Sequence, residues 1–308
     1  MADMQAMSEY RPRKTGTFFR RNKLVIMPLV FIAPAFAMFS LFVIWPIIQS
    51  VALSFYEWQG IGPKTWVGLG NYRELFGDQV FWTALVNNIY WLLLFLLAPV
   101  MGLFIALFLN QNVFGIRLVK SLFFFPFVVS QIVVGMIFAW FYDPAFGLLA
   151  TLLKPLGIGI PAILADENWA TFGIIAAGLW PQTAYCMIIY LTGLNGVNPE
   201  MIEAARLDGA KGWRLLVKIV LPQLRAATFI ALVVTVIGAL RSFDLVAVMT
   251  SGGPYNSSNV LAYYMYDNAI SRYRMGYASA IATILFLIMN IYIAWFLMRL
   301  LTNEKGAR

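Results

Sequence analysis

The stretch IYWLLLFLLAPVMGLFIALFL, from Ile89 to Leu109, contains no charged residue. A helix that crosses a bilayer needs about 20 consecutive, mainly apolar residues, and this stretch is long enough. The rest of the chain is similar, because 61% of its 308 residues are hydrophobic and only 12% are charged. About 25% of the residues in a typical soluble domain are charged. The composition therefore predicts an integral membrane protein.

On either side of this stretch, further apolar runs predict an all-α fold with six membrane-spanning helices. The predicted spans are Met27–Leu53, Ala84–Leu109, Leu122–Trp140, Ala170–Leu191, Ala226–Met249 and Gly276–Met298. The predicted organisation is an N-terminal tail (1–24), a six-helix transmembrane domain (25–302) and a C-terminal tail (303–308).

The positive charges predict the orientation. Sixteen of the 22 Lys and Arg residues lie in the two tails and in the loops after spans two and four. Five lie in the alternate loops, and Arg241 lies within span five. Because Lys and Arg accumulate in cytoplasmic loops, both termini are predicted to be cytoplasmic. The net charge of +8 is explained by topology in a lipid bilayer, so we expect no nucleic-acid partner.

The residue types exclude several kinds of chemistry. The chain has no histidine, and its one cysteine, Cys186, lies in an apolar segment. Histidine-based triads, histidine metal sites and disulfide frameworks are therefore excluded. No G-x-x-x-x-G-K loop for phosphate binding is present. We predict no catalytic residue, no metal site and no cofactor bound by this chain, which is not expected to be an enzyme.

A polar segment separates spans four and five. Asn198-Pro199-Glu200 is typical of a helix start, with a capping side chain, a proline at the first helical position and an acid in the first turn. The helix is predicted to run over Met201–Leu207, with Gly209 in a left-handed conformation after it. A second short helix is predicted over Trp213–Val220, before Pro222 starts span five.

This polar segment has features of a docking surface. Ala204 and Ala205 leave one side of the first helix nearly bare, and a bare face allows close approach. The apolar side chains of Leu207, Trp213 and Leu216 are expected to be exposed in a loop, which also favours docking. The alternative is an amphipathic helix that lies on the membrane.

The same residues carry a resemblance. Glu203-Ala204-Ala205, Gly209, Ile219 and Leu221-Pro222 are separated by three, nine and one residues, and they match the EAA signature. The chain thereby resembles the permease subunits of binding-protein-dependent ATP-binding-cassette (ABC) importers. In that family this loop, here residues 198–222, forms a coupling helix that sits in a cleft on a cytoplasmic ATPase subunit. The resemblance implies ATPase-coupling roles for Glu203, Ala204, Ala205, Asp208, Gly209, Ala210 and Trp213.

The resemblance also implies partners. A membrane core of this family contains two permease subunits and two ATPase subunits, and the ATPase subunits use ATP and Mg. The second permease is expected to be a related but unlike chain, although nothing in this sequence excludes a homodimer. A periplasmic solute-binding protein would deliver the substrate.

Further motifs resemble the carbohydrate permeases of maltose and glycerol-phosphate type. The motifs are Trp66–Tyr72, Phe81-Trp82, Asn87-Asn88, Phe243-Asp244, Thr250–Pro254 and Tyr277–Ala280. This resemblance covers most of the chain and implies import of a sugar, a glycoside or a sugar derivative by alternating access.

Polar groups in spans four and five are the candidate substrate site. Pro181 breaks the backbone hydrogen bonding of span four and can bend it around a cavity. Amides, hydroxyls and aromatic rings hold sugars, and register with the maltose-type permeases adds positions in span five. The predicted substrate-binding residues are Trp180, Gln182, Thr183, Tyr185, Thr235, Gly238, Ala239, Arg241, Ser242 and Asp244. For Gln182 and Thr183, a hydrogen bond to a neighbouring helix is an equal alternative.

Arg241 and Asp244 are the charged residues of span five. Three positions apart, they are expected to share a helix face. An ion pair between them, or with a partner subunit, is the expected arrangement inside a membrane. The alternative is that Arg241 contacts an anionic group on the substrate.

A different function class is a stand-alone secondary transporter of a small polar solute. Such a carrier is expected to have titratable groups deep in several spans and inverted repeats. Only span five has such groups, and no repeat is visible. A membrane enzyme would need a catalytic cluster that the sequence lacks.

Overall fold

The fold comes from a computed structural model that describes residues 23–111, 113–159 and 161–305, with side chains for 27–111, 113–159, 161–294 and 298. Most of the predicted N-terminal tail and the last three residues of the C-terminal tail lie outside these ranges. The described chain forms two compact units that divide between Ala52 and Leu53.

The described residues are mostly helical. The first unit contains α1 (Lys23–Phe39) and most of α2 (Trp45–Leu53). The second unit begins with a two-stranded antiparallel ribbon, β1 (Tyr56–Glu57) and β2 (Thr65–Trp66). Its helices are α3 (Gly70–Gly77), α4 (Gln79–Phe95), α5 (Leu97–Leu109), α6 (Ile116–Val128), α7 (Gln131–Phe141), α8 (Leu148–Leu153), α9 (Ala170–Asn195), α10 (Pro199–Leu207), α11 (Gly212–Leu215), α12 (Leu221–Gln223), α13 (Arg225–Leu240), α14 (Asp244–Met249), α15 (Leu261–Tyr266) and α16 (Met275–Lys305).

Among the described residues, four helical segments are long and apolar enough to cross a membrane without a sharp bend. They are Met27–Leu53, Gln79–Leu109, Ala170–Asn195 and Met275–Ala294. Two helix pairs pass the same test only together, and they are bent by 99° between α6 and α7 and by 75° between Gly212–Gln223 and α13. The described chain therefore holds four such helices, or six if each bent pair is one span. The orientation of the termini stays a prediction.

The prediction of a continuous third span over Leu122–Trp140 is wrong. Helix α6 ends at Val128, and Val129 has an extended backbone. The hydroxyl of Ser130 then accepts a hydrogen bond from the Val133 N–H at 3.4 Å and caps α7. Ser130 thus starts a new helix inside an apolar run, because its short polar side chain satisfies one of the free N–H groups at the helix start.

The prediction of a continuous fifth span over Ala226–Met249 is also wrong. Helix α13 ends at Leu240, and α14 begins again at Asp244. In the break, the Ser242 hydroxyl donates to the Ala239 carbonyl at 2.9 Å. A side-chain hydrogen bond to a nearby carbonyl competes with the helical pattern, and here it accompanies the end of the helix.

Helix α9 lies at the centre of the second unit and is held by small residues. A Cβ placed on Gly102 of α5 would lie 2.7 Å from the Cys186 Cβ and from the Met187 nitrogen of α9. A Cβ on Gly193 of α9 would lie 2.7 Å from the Ala227 Cβ of α13. Small residues permit this close approach of helices within a membrane. The contacts fix α9 against both α5 and α13.

One end of this unit is organised by Asp78, and we call it the Asp78 end. The carboxylate accepts a hydrogen bond from the Val80 N–H at 2.9 Å, which caps α4. It also accepts from the hydroxyls of Tyr264 and, at 2.8 Å, Tyr277. Burial alone would raise the pKa of Asp78, but these hydrogen bonds outweigh it and hold the pKa below its usual value. One carboxylate thus joins the starts of α4 and α16 to α15.

The ribbon is fastened at the same end. The Asn71 side-chain amide donates to the carbonyl oxygens of Ser54 at 2.8 Å and Tyr56 at 2.9 Å. Gly276, at the start of α16, lies so close to the ribbon that an added Cβ would sit 1.9 Å from the Tyr56 oxygen. The motif Trp66–Tyr72 and the start of span six therefore belong to one structural unit.

Asn87 and Asn88 of α4 hold the segment that follows α14. The Asn87 amide donates to the carbonyl oxygens of Ser257 at 2.6 Å and Asn259 at 2.8 Å. The Asn88 side-chain oxygen accepts from the Leu261 N–H at 2.9 Å. The motif Asn87-Asn88 is thus in direct contact with a segment about 170 positions later in the chain. They fix the loop between α14 and α15.

Candidate functional site

A cavity of about 380 Å³ lies where the break between α13 and α14 faces α9 and the start of α7. Polar side chains from three elements line it: Gln131, Gln182, Tyr185, Arg241, Ser242 and Asp244. Aromatic rings complete the wall: Trp91, Phe95 and Phe243. Apolar walls with a few convergent polar groups are typical of binding sites for small molecules.

The two broken spans meet beside this cavity. Gly135 of α7 faces α14, and a Cβ on Gly135 would lie 3.3 Å from Val248 Cγ1 and 3.4 Å from Leu245 Cδ2. Both α7 and α14 have their first residues, Gln131 and Asp244, at the cavity wall. Irregular backbone within a membrane span is tolerated only where it is buried in protein or lines a cavity, and both breaks have residues at this cavity.

A hydrogen-bonded group of side chains supports the cavity between α9 and α13. The Gln182 amide nitrogen donates to the Thr235 hydroxyl at 2.9 Å. The Cys186 thiol lies 3.4 Å from the same hydroxyl. Gln182 therefore forms the interhelical hydrogen bond that was the alternative to substrate binding, and its side chain also lines the cavity. The Gln182 Oε1 atom has no hydrogen-bond partner among the described residues. It faces Gly238, where an added Cβ would lie 3.4 Å from it.

The predicted substrate residues fall into three groups. Six line the cavity: Gln182, Tyr185, Gly238, Arg241, Ser242 and Asp244. Thr235 is fully buried and acts through its bond to Gln182, and Ala239 is fully buried in the hydrophobic core. Trp180 and Thr183 line a different, mainly apolar cavity of about 470 Å³ among α5, α6 and α9. The Thr183 hydroxyl is buried there without a hydrogen-bond partner among the described residues.

The prediction that Arg241 and Asp244 share a helix face is wrong. Arg241 follows the last residue of α13, whereas Asp244 is the first residue of α14, so the helical three-residue spacing does not apply. The expected ion pair between the two is not formed, since neither side chain has an ion-pair partner among the described residues. Pairing with a partner subunit stays a prediction. Both side chains line the cavity instead.

Sequence reasoning missed part of the cavity wall. Gln131 is an uncharged polar residue within predicted span three, so the signal that selected Gln182 was present there too. Trp91 and Phe95 lie in predicted span two, where they are indistinguishable from other apolar residues. The Trp91 indole N–H is buried without a hydrogen-bond partner among the described residues. Only the packing of α4 against α9 reveals their position.

The polar segment, residues 198–222, follows the C-terminal end of α9, and we call it the Glu203 end. At 1.5 Å per residue, the 26 residues of α9 place it about 39 Å from the start of that helix. Helix α10 begins as predicted, since the Asn198 side-chain oxygen accepts from the Glu200 N–H at 2.8 Å. It ends at Leu207 as predicted, and Gly209 follows in a left-handed conformation with a φ of 83°. The Gly209 N–H bonds to the Arg206 carbonyl at 3.1 Å, and the Ala210 N–H bonds to the Ala205 carbonyl at 2.9 Å. These two bonds form a Schellman motif.

Exposure at the Glu203 end differs between the predicted residues. Leu207 and Trp213 are 90% and 67% exposed, as expected, but Leu216 packs against the core that surrounds α9. Ala205 is buried and anchors α10, so only Ala204 is a bare outward position. The Glu203 and Asp208 side chains are exposed and make no hydrogen bond or ion pair with another described residue. The predicted helix over Trp213–Val220 is divided into α11 and a turn of π-helix over Leu216–Val220.

Comparison with known proteins identifies the family. Residues 98–303 match the family described as binding-protein-dependent transport system inner membrane component. This chain belongs to that family. The match covers α5 through nearly all of α16, and it includes the whole Glu203 end and most of the cavity wall. The permease is therefore the translocation subunit of a transporter and not a catalytic one.

Individual relatives agree with this assignment. A probable ABC transporter permease protein of Pyrococcus horikoshii is 36% identical to this permease over 90% of this chain and 97% of its own length. The alpha-glucoside transport system permease protein of Rhizobium meliloti is 32% identical over 95% and 88%. The sulfoquinovosyl glycerol transport system permease protein of Agrobacterium fabrum is 30% identical over 91% and 92%.

A solved structure shows the same fold. It is a chain of a bacterial ABC transporter involved in the import of the acidic polysaccharide alginate. The two chains superimpose with a TM-score of 0.79, and the superposition covers 91% of this permease and 96% of the alginate transporter chain. The sequence identity is 22%, so this likeness carries the fold only.

Proposed function

We propose that this permease imports a sugar, a glycoside or a sugar derivative through the inner membrane of a bacterium, driven by partner ATPase subunits. The observation that carries the sugar assignment is the cavity of about 380 Å³, which combines amide, hydroxyl and charged groups with aromatic rings. Two of the most similar relatives are named for the transport of a glucoside and of a sulfoquinovosyl glycerol, which supports the same substrate class.

The arrangement of the breaks suits a site that is alternately open to each side. The cavity wall includes residues at two helix breaks, between α6 and α7 and between α13 and α14. The α6–α7 pair is bent by 99°, and α13 is bent by 75° relative to Gly212–Gln223 of the polar segment. A rotation at these bends moves Arg241 and Ser242 relative to the Gln182 side chain of α9 without unwinding a complete helix. In this proposal, ATP binding closes the two ATPase subunits, and α10 transmits that motion to the bent spans.

The Glu203 end is the proposed contact with an ATPase subunit. Its outward surface presents Leu207 and Trp213, two large apolar side chains, beside the carboxylate of Glu203. Exposed apolar residues next to an unpaired charge form a suitable rim and anchor for a protein partner. The Schellman motif at Gly209 holds this surface in a fixed shape.

Residues Asp208, Ala210 and Ala204 are part of the proposed coupling surface by position. Asp208 is the last residue before the left-handed Gly209, and Ala210 closes the motif through its N–H. Beside the start of α9, the loop that Asn87 and Asn88 hold is the proposed contact for a periplasmic solute-binding protein. A second, related permease completes the cavity, and the ATPase subunits bind the ATP and Mg.

The test is co-purification of the tagged chain with its natural neighbours in mild detergent, with the captured proteins identified by mass spectrometry. We expect an ATPase subunit and a second permease. Glu203→Ala should reduce capture of the ATPase, whereas Glu200→Ala should not, because Glu200 carries the same charge on the same helix but lies in its first turn. Capture of no ATPase by the unmodified chain would overturn the proposal.

A further inference from the structure

We propose that the cavity selects solutes without a net charge, and that it holds a hydroxyl-rich ring between the guanidinium of Arg241 and the carboxylate of Asp244. This inference rests on the proposed function, because it takes the cavity to be the place that a sugar occupies. It concerns the class of sugar, which neither the fold nor the family decides.

The two charges share one cavity without neutralising each other. Arg241 and Asp244 both line the space of about 380 Å³, and the non-helical residues Arg241–Phe243 separate the elements to which they belong. The ion pairs formed by the described residues, Arg272–Asp267 and Arg274–Glu74, lie elsewhere, near the Asp78 end. Both residues are exposed in the described chain. A ring that fills the cavity displaces water from both charges, and an unpaired charge without water is costly, so each group then needs a partner.

A charged solute can form a favourable ion pair with only one of Arg241 and Asp244. An anion would be attracted by Arg241 and repelled by Asp244, and a cation would meet the reverse, because both groups face the same small space. A hydroxyl group both donates and accepts hydrogen bonds. Neighbouring hydroxyls of one neutral ring can therefore accept from the guanidinium and donate to the carboxylate. Both contacts are charge-assisted and stronger than bonds between neutral groups.

The rest of the wall fits the same ligand. The Gln182 Oε1 atom is unpaired in the described chain and can accept from a further hydroxyl, whereas the Ser242 hydroxyl is already committed to the Ala239 carbonyl. The half-buried Phe243 offers an apolar face for the C–H side of a sugar ring. The net charge of the described wall is zero, since Arg241 and Asp244 are its charged members.

The experiment uses three methyl α-glycosides with the same ring: the neutral glucoside, the glucuronide with a carboxylate at C6, and the glucosaminide with an amine at C2. Binding of each is measured by equilibrium dialysis to the assembled permease–ATPase complex without the binding protein. For the unmodified complex we expect the neutral glycoside to bind about tenfold more tightly than either charged one. Asp244→Asn should move the preference towards the glucuronide, and Arg241→Gln should move it towards the glucosaminide, each by about tenfold.

The control is Arg225→Gln, the same substitution at an exposed position outside the cavity, which should leave the ranking unchanged. The ranking of the unmodified complex is informative even if a variant fails to assemble. Tighter binding of the glucuronide by the unmodified complex, or variants that bind sugars with an unaltered ranking, would overturn the inference and leave the proposed function intact. Binding of none of the three glycosides would remove the proposed sugar function and this inference with it.

Discussion

Replacing Gly102 with alanine is expected to force α5 away from α9. The added Cβ would lie 2.7 Å from both the Cys186 Cβ and the Met187 nitrogen, and 2.9 Å from the Cys186 carbonyl carbon. Carbon atoms in ordinary contact are about 3.5–4.0 Å apart, so the helices must separate by about 1 Å. Backbone atoms cannot rotate aside as the end of a side chain can. Overpacking of this kind costs about 1–3 kcal/mol, which lowers the thermal midpoint by roughly 5 °C.

The chain offers its own reporter for this measurement. Cys186 is its one cysteine and is fully buried, so a thiol-reactive fluorescent dye reports unfolding of the chain in detergent. The matched control is Gly77→Ala, where the added Cβ meets no atom within 4 Å and the backbone is helical. We expect an unchanged or slightly higher midpoint for this control. A midpoint for Gly102→Ala equal to that of the unmodified chain would refute the tight contact between α5 and α9.

Three further predictions concern the Asp78 end and the cavity. Asp78→Asn should lower the thermal midpoint at pH 7. The folded pKa of Asp78 lies below its usual 3.8, so the difference in midpoint between the variant and the unmodified chain should be complete above pH 3.8. It should shrink as the pH falls through the folded pKa. An equal difference at all pH values would contradict the assignment. Asn87→Ala removes two hydrogen bonds to the loop between α14 and α15, so hydrogen exchange of that loop, measured by mass spectrometry, should accelerate. Exchange in the C-terminal half of α9, which Asn87 does not contact, should not change. Unchanged exchange of the loop would show that other contacts hold it. Thr235→Val leaves the Gln182 amide without its partner and should weaken sugar binding several-fold, and equal binding would exclude this supporting role.

Local chemistry explains why α10 was predictable in detail. Its start depends on Asn198 and Pro199, and its end depends on Gly209, all within a dozen residues. Each signal acts through the backbone of its own segment, so the sequence alone is sufficient. The same holds for the apolar stretch Ile89–Leu109, which lies within the candidate span Gln79–Leu109, where α4 and α5 follow each other without a sharp bend.

The helix breaks could not be predicted in this way. Ser130 and Ser242 are single short polar residues within apolar runs, and such residues also occur in continuous membrane helices. A six-residue helix such as α14 is not stable by itself, and its packing against Gly135 of α7 provides the support that the local sequence lacks. The separation of Arg241 from Asp244 follows from that tertiary contact.

The candidate cavity was predictable only in part, for the same reason. Polar residues within apolar runs identified Gln182, Tyr185 and Arg241 at the wall. The same rule also selected Thr183, which the turn of α9 directs to a different cavity. Which face of α9 meets α13 depends on glycine contacts such as that of Gly193 with Ala227, and sequence periodicity does not specify them.

The most direct test of the central claim is uptake of radiolabelled methyl α-glucoside into proteoliposomes. The vesicles contain this permease, its second permease and the ATPase subunits, with the binding protein and ATP each present or absent on the appropriate side. We predict that uptake requires both ATP and the binding protein. Glu203→Ala should abolish this uptake, whereas Glu200→Ala should leave it intact. Uptake by this chain alone, without ATP, would contradict the account and identify a secondary transporter.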